Sequence, residues 1–270
     1  MLKITLLIAI AAAVISAQPL RRWWASRVRV RRRAEPLPSA WAEILQQDVP
    51  LYRRLPPEMR DRLHGDINVF LGEKQFFGQE GLAITDRMRV VVAAHACLLT
   101  LQTSRGHYPD FATILIYPEP YLAVTTSTRA GLETTEKTIR SGESWLHGPL
   151  VLAWSEVIRD LEGASCSNVL IHEFAHKLDG LDGIMDGAPP LAAASQQPWA
   201  AEFNAAFAAE TTQSTAGESG LFDNYDVSHP AEFFAATVEL FFVQPTVLEA
   251  RHEALYQALQ RYFQLDPANW

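Results

Sequence analysis

Apolar positions along this chain recur at two spacings. In "PPEMRDRLHGDINVFLGEKQFF" (56–77), Met59, Leu63, Ile67, Phe70 and Leu71 stand three, four or one residue apart behind paired prolines. That spacing predicts a helix, and the whole of Trp41–Phe77 reads as mostly helical. "ITDRMRVVVAAHACLLTLQ" (84–102) predicts another. Two short runs rich in β-branched and aromatic residues predict strands: "FATILIYP" (111–118), stopped by proline, and "GPLVLAWSEV" (148–157). Helical spacing returns in "SNVLIHEFAHKLDG" (167–180), with Ser167 or Asn168 as cap and Gly180 as stop. "HPAEFFAATVELFF" (229–242) opens on Pro230, and "PTVLEARHEALYQALQRYFQLDP" (245–267) closes the chain as one helix. Helices outnumber strands and a small sheet precedes the histidine-bearing helix, so the predicted class is α+β.

The first residues follow another pattern. Ile4–Ala17 is an uncharged apolar run, followed by "QPLRRWWASRVRVRRR". Fourteen helical residues span roughly 21 Å, short of a ~30 Å hydrocarbon core. Leu20, Trp23 and Trp24 extend the apolar contact while Arg21 and Arg22 snorkel. The tryptophans and arginines read as an interfacial belt with a positive cytoplasmic flank. The rival is a cleaved signal peptide with "ISA-QP" as its site, but Ile15 is bulky there and the arginines oppose translocation. "AEPLPSA" (34–40) reads as a linker. The expected organisation is therefore an anchor and basic flank over 1–34 and a main domain over 35–270, facing the cytoplasm from the inner membrane.

Charge sharpens this division. The net charge is −8, yet residues 1–34 carry +8 and the remainder −16. So acidic a body is a poor general binder of nucleic acid. Two distant cysteines, Cys97 and Cys166, imply no disulfide framework.

The candidate chemistry lies in "IHEFAH". On a helix, His172 and His176 share a face one turn apart and can offer two imidazoles to one Zn²⁺. Glu173 stands beside them, placed for a metal-bound water rather than the metal. Zinc lowers the pKa of such a water towards ~7, and a glutamate can take its proton as it attacks a carbonyl. A third protein ligand is needed, and two are available. Asp182 lies six residues after His176, but the glycine such a site wants three residues after the second histidine is replaced by Asp179. Glu232 comes from a second helix, where Phe233, Phe234, Val238 and Leu240 would pack it rigidly, and it is the preferred ligand. Glu239, two turns on, is a back-up ligand or a partner of one. Asp179 and Asp182 could orient an imidazole. Tyr225, seven residues before Glu232, could stabilise an oxyanion. "GESWLHGPLVLAW" could form a sheet edge for an extended peptide or a buried strand. His147 reads as a surface or supporting residue, and His64, His95, His107, His229 and His252 as structural.

Taken together, "IHEFAHKLDG", "SGESWLHGPLVLAW" and "YDVSHPAEFFAATVELFF" resemble the Mlc titration factor A family of zinc-dependent peptidases, from about Pro50 to Pro267. That family is similar in its site to the catalytic domain of anthrax lethal factor, which also has H-E-F-x-H followed by a tyrosine and A-E-F-F-A. The resemblance implies a mostly helical zincin-like domain with the H-E-x-x-H helix beside a small mixed sheet. It implies one Zn²⁺ held by His172, His176 and Glu232, Glu173 as general base and Tyr225 as oxyanion donor. It also implies aminopeptidase-type activity on a peptide or protein substrate, and a transcriptional repressor as a partner. The apolar N-terminal segment departs from the cytosolic founding member. An anchored protein would have to capture such a repressor at the membrane.

Overall fold

The computed structural model describes residues 23–103, 108–129, 132–140, 142–144, 148–163, 167–217, 220–222 and 226–270. Helix α1 takes in residues 23–33. It is followed by α2 (Ser39–Asp48), α3 (Pro50–Arg54) and α4 (Pro57–Glu73). Proline opens α3 and α4, where its missing N–H costs no helical bond. α5 (Asp86–Thr100) is capped by the Thr85 hydroxyl, which accepts from Met88 N at 3.3 Å. Every residue of α5 from Val90 to Thr100 is buried. The helix is the axis of the core, and α2, α4 and the histidine helix pack on it. His95 lies inside it and donates Nδ1–H to Val91 O at 2.8 Å. Burial pushes its pKa down to about 4, so it sits in the core as a neutral ring.

The strands are β1 (Gln75–Gly78), β2 (Thr113–Tyr117), β3 (Tyr121–Arg129), β4 (Leu132–Arg140), β5 (Gly142–Ser144) and β6 (Leu150–Ala153). β3 and β4 pair as an antiparallel hairpin. The others form a mixed sheet in the order β1-β2-β6-β5, parallel except for the β5–β6 pair. "GESWLHGPLVLAW" therefore supplies both a sheet edge and a buried strand. β6 is central and buried throughout, while β5 is the edge.

The strand expected over 148–157 stops at Ala153, where α6 (Trp154–Leu161) begins. Val157 and Leu161, four apart, turn to the core while Glu156 and Arg159 pair outside. Four apolar residues before a helix cannot be separated from its first turn by periodicity alone.

α7 (Val169–Asp179) and a 3₁₀ turn (Gly180–Asp182) carry the motif, and α8 (Ala193–Thr215) and α9 (Pro230–Val243) follow. The single closing helix expected over 245–267 is divided into α10 (Pro245–Arg251) and α11 (Glu253–Phe263). Between them His252 leaves the helical conformation (φ −135°, ψ 64°) and its ring donates to buried Glu210 of α8 at 2.6 Å. Among the described residues no single helix is long and apolar enough to cross a membrane.

Candidate metal centre

The site begins with how α7 starts. Asn168 Oδ1 accepts from Ile171 N (3.0 Å), Asp160 Oδ2 from Val169 N (2.7 Å) and Glu239 Oε1 from Asn168 N (2.7 Å). N–H groups that a helix start leaves unpaired are thus satisfied, two of them by carboxylates that the helix dipole favours there. Phe174 packs on Phe70, Tyr108 and Phe111 with centroids 6.0, 5.1 and 6.3 Å away. This packing fixes the rotation of α7 and leaves residues 172 and 176 facing α9.

α9 is held as firmly. Phe233, Phe234, Val238, Phe241 and Phe242 are fully buried, and Leu240 is half-buried against the same core. Phe233 packs on Phe203 and Phe222, and Phe234 on Trp199. Glu232 sits in the first turn of α9, where a carboxylate suits the dipole.

The two helices bring three donors together. Glu232 Oε2 is 3.2 Å from His172 Nε2 and 3.4 Å from His176 Nε2, and one ligand atom from each residue lies within 4.8 Å of the others. Among the described residues no other group of three His, Cys, Asp or Glu converges in this way. The other nitrogen of His172, Nδ1, faces Glu239 Oε2 at 3.3 Å. Glu239 therefore stands behind the imidazole rather than among the three donors.

The electrostatics favour a cation. Burial works to lower the pKa of His172, but hydrogen bonds to Glu232 and Glu239 outweigh it and hold the group up at about 10. Burial likewise works to raise Glu232, and bonds from His172 and His176 hold it well below the usual carboxylate range. Glu173 is 6% exposed, its Oε2 makes no hydrogen bond, and burial raises its pKa against the pull of both histidines. Two imidazole nitrogens, one carboxylate oxygen and an unpartnered carboxylate oxygen beside them suit a borderline-soft divalent ion.

Asp182 is exposed and accepts from Ile184 N at 3.1 Å, outside the three-donor group. Asp179 is fully buried and accepts from Gly187 N with both oxygens, at 3.1 and 3.0 Å, instead of orienting an imidazole through a hydrogen bond. Burial pushes it up to about 7. His64 bonds to Tyr52, and His229 precedes α9 as an exposed residue. Tyr225, His107 and His147 lie outside the described residues. The sequence pattern does not single out Lys177. It is buried, donates to Gly148 O at 3.1 Å and lies 4.8 Å over the Phe111 ring, tying α7 to the approach of β6. A lysine inside an amphipathic helix reads as solvated, so only the packing reveals its role.

A family model described as glucose-regulated metallo-peptidase M90 matches residues 20–264. The chain belongs to this metallopeptidase family. An uncharacterized protein of Synechocystis sp. is 39% identical over 236 residues, 86% of each chain. Proteins named Mlc titration factor A from Yersinia pestis and Yersinia pseudotuberculosis are each 33% identical over 231 residues, 84% of each chain. The resemblance read from three sequence blocks thus extends over nearly the whole chain, and the helices that carry the metal donors lie within the M90 match.

Proposed function

We propose that this chain is a zinc-dependent peptidase in which His172, His176 and Glu232 hold one ion and Glu173 is the general base. The observation that carries the reading is the buried, unpartnered Oε2 of Glu173 beside three convergent donors. A buried carboxylate oxygen without a partner costs stability, so a site that merely bound an ion would gain nothing from it. Zinc in this donor set would polarise a carbonyl and lower the pKa of water towards ~7. Glu173 then accepts the proton of the attacking water at Oε2 and returns it to the leaving amine. Its raised pKa brings it nearer to a working acid–base group at neutral pH. Glu239 holds the His172 ring by Nδ1, keeping Nε2 turned to the donor set. Tyr225, by the family resemblance, is the oxyanion donor. The short edge strand β5, which lies against α7, offers main-chain groups to an extended peptide. Aminopeptidase-type cleavage rests on the resemblance alone.

The test is peptide hydrolysis by the full chain, with and without chelator. Glu173→Gln should keep zinc and lose hydrolysis, and full activity in that variant would overturn the general-base role. Tyr225→Phe should lower kcat by up to ~10²–10³ with little change in KM.

The name of the Yersinia relatives supports a second reading, a binding protein that sequesters a transcriptional repressor. A purified repressor bound equally by wild type and Glu173→Gln would separate that role from hydrolysis. We also propose that residues 1–34 anchor the chain, with residues 35–270 as the peptidase domain on the cytoplasmic side, because +8 charges flank the apolar run.

A further inference from the structure

Helix α1 has two unlike faces. On one, Arg29 grips Glu73 at 2.6 and 3.2 Å, and Arg33 reaches Asp66, whose side chain is 3% exposed, at 2.6 Å. Two glycines on α4 make room for this docking. A Cβ on Gly65 would stand 2.5 Å from Arg33 Cγ and 2.7 Å from its carbonyl oxygen, and one on Gly72 would overlap the Arg32 guanidinium. α4 in turn touches the histidine helix through Phe70 and Phe174. α1 is thus seated on the same packed unit as the candidate site.

The opposite face is bare. Of six large apolar side chains exposed among the described residues, three are Trp23, Trp24 and Val30. Arg27 lies 4.7 Å over the Trp23 ring, and the Arg31 side chain is 86% exposed. At 100° per residue these five fall on one side of the helix, away from Arg29, Arg32 and Arg33.

We infer that this face of α1 lies in the headgroup layer of an anionic phospholipid bilayer, so that the peptidase body is held against the membrane as one rigid piece. The inference rests on the anchoring reading and adds to it a fixed seat. Three observations select lipid as the occupant. Five residues separate the end of the apolar run Ile4–Ala17 from Trp23. Residues 1–34 carry +8 and the remaining chain −16, so an anionic surface attracts α1 and repels the rest. A second copy of the same +8 segment would be repelled. Tryptophan and arginine are also the side chains that settle at a membrane interface.

The experiment uses the full chain in vesicles of phosphatidylethanolamine and phosphatidylglycerol with brominated acyl chains, which quench nearby tryptophans. Quenching should affect part of the emission of the seven tryptophans and vanish in Trp23→Phe/Trp24→Phe. Each of Arg27→Glu and Arg31→Glu should weaken the interfacial equilibrium at least about fivefold. An unchanged unfolding curve verifies that each variant folds. If the chain cosediments with vesicles but quenching is absent, or persists in the double tryptophan variant, the seat is wrong and the anchor stands. Without cosedimentation, both fail. A concentration-dependent dimer in detergent that the double variant abolishes, with no quenching in vesicles, would assign the face to a second copy instead.

Discussion

Glu239→Gln isolates the role of the group behind the metal ligands. Glu239 makes two bonds across the α7–α9 interface: Oε1 accepts from Asn168 N at 2.7 Å and Oε2 faces His172 Nδ1 at 3.3 Å. Glutamine can keep the first as acceptor, so the start of α7 stays satisfied. It sets an amide NH₂ against Nδ1–H, donor facing donor. His172 can recover that bond only by moving its proton to Nε2, and a protonated Nε2 cannot bind a metal. Losing such a supporting partner costs about 10–100-fold in metal affinity, or ~1.4–2.8 kcal/mol. Stability should change by less than ~1 kcal/mol, because the bond to Asn168 survives. Glu239→Ala should lose the same affinity and a further ~1–3 kcal/mol of stability, since the Asn168 N–H is left buried and unpaired. Glu232→Gln, which replaces a donor, should bind zinc far more weakly than either, and Asp182→Ala should bind it normally. Zinc titration against a chromophoric chelator at fixed pH, beside denaturant unfolding, measures both quantities. Wild-type affinity in Glu239→Gln would refute the orienting role. Loss of the metal in Asp182→Ala with retention in Glu232→Gln would refute the donor assignment itself.

Two further outcomes are expected. His172 sits at about 10 in the folded, metal-free chain against 6.5 unfolded, so its contribution is full below 6.5 and is lost as pH rises through 10. Glu232, depressed below 4.5, contributes above that value and loses its share only as pH falls. Asp179, raised from 3.8 to about 7, completes its own loss near neutrality. Burial lowers Lys74 and Lys177 to about 8, so their contributions rise over the same range in which that of His172 is lost. The His172 share is therefore the difference in denaturant stability between chelated wild type and His172→Gln, which should shrink between about pH 7 and 10. A difference that stays constant or grows would contradict it. In the α4 groove, Gly72→Ala meets only the mobile head of Arg32 and should be neutral or stabilising by up to ~1 kcal/mol through helix propensity. Gly65→Ala meets the Arg33 backbone and should cost ~1–3 kcal/mol; equal melting temperatures for the two variants would show that α1 is not seated there.

Elements whose chemistry is local are legible in the chain alone. Histidines four apart must share a helix face, Asn168 and Gly180 mark the helix ends, and the dense aromatics of α9 had to be core. The sequence also points to Glu232, because a rigid apolar helix is a better mount for a carboxylate than a short loop. Elements with weak periodicity escaped. α8 buries only Trp199, Phe203, Ala206 and Glu210, a thin stripe hidden among alanines. The β3–β4 hairpin is rich in threonine and charge, and the break at His252 depends on a glutamate 42 residues away. The tertiary structure alone decided that Glu239 backs His172 while Glu232 joins the donors, that Asp179 ties down Gly187, and that α1 is docked by its arginines. The physical reason is common to all of these. Covalent spacing fixes which side chains share a face, but which carboxylate meets which nitrogen depends on the rotation and separation of two packed helices. Those are set by core side chains such as Phe174 and Phe233, far from the polar groups they align.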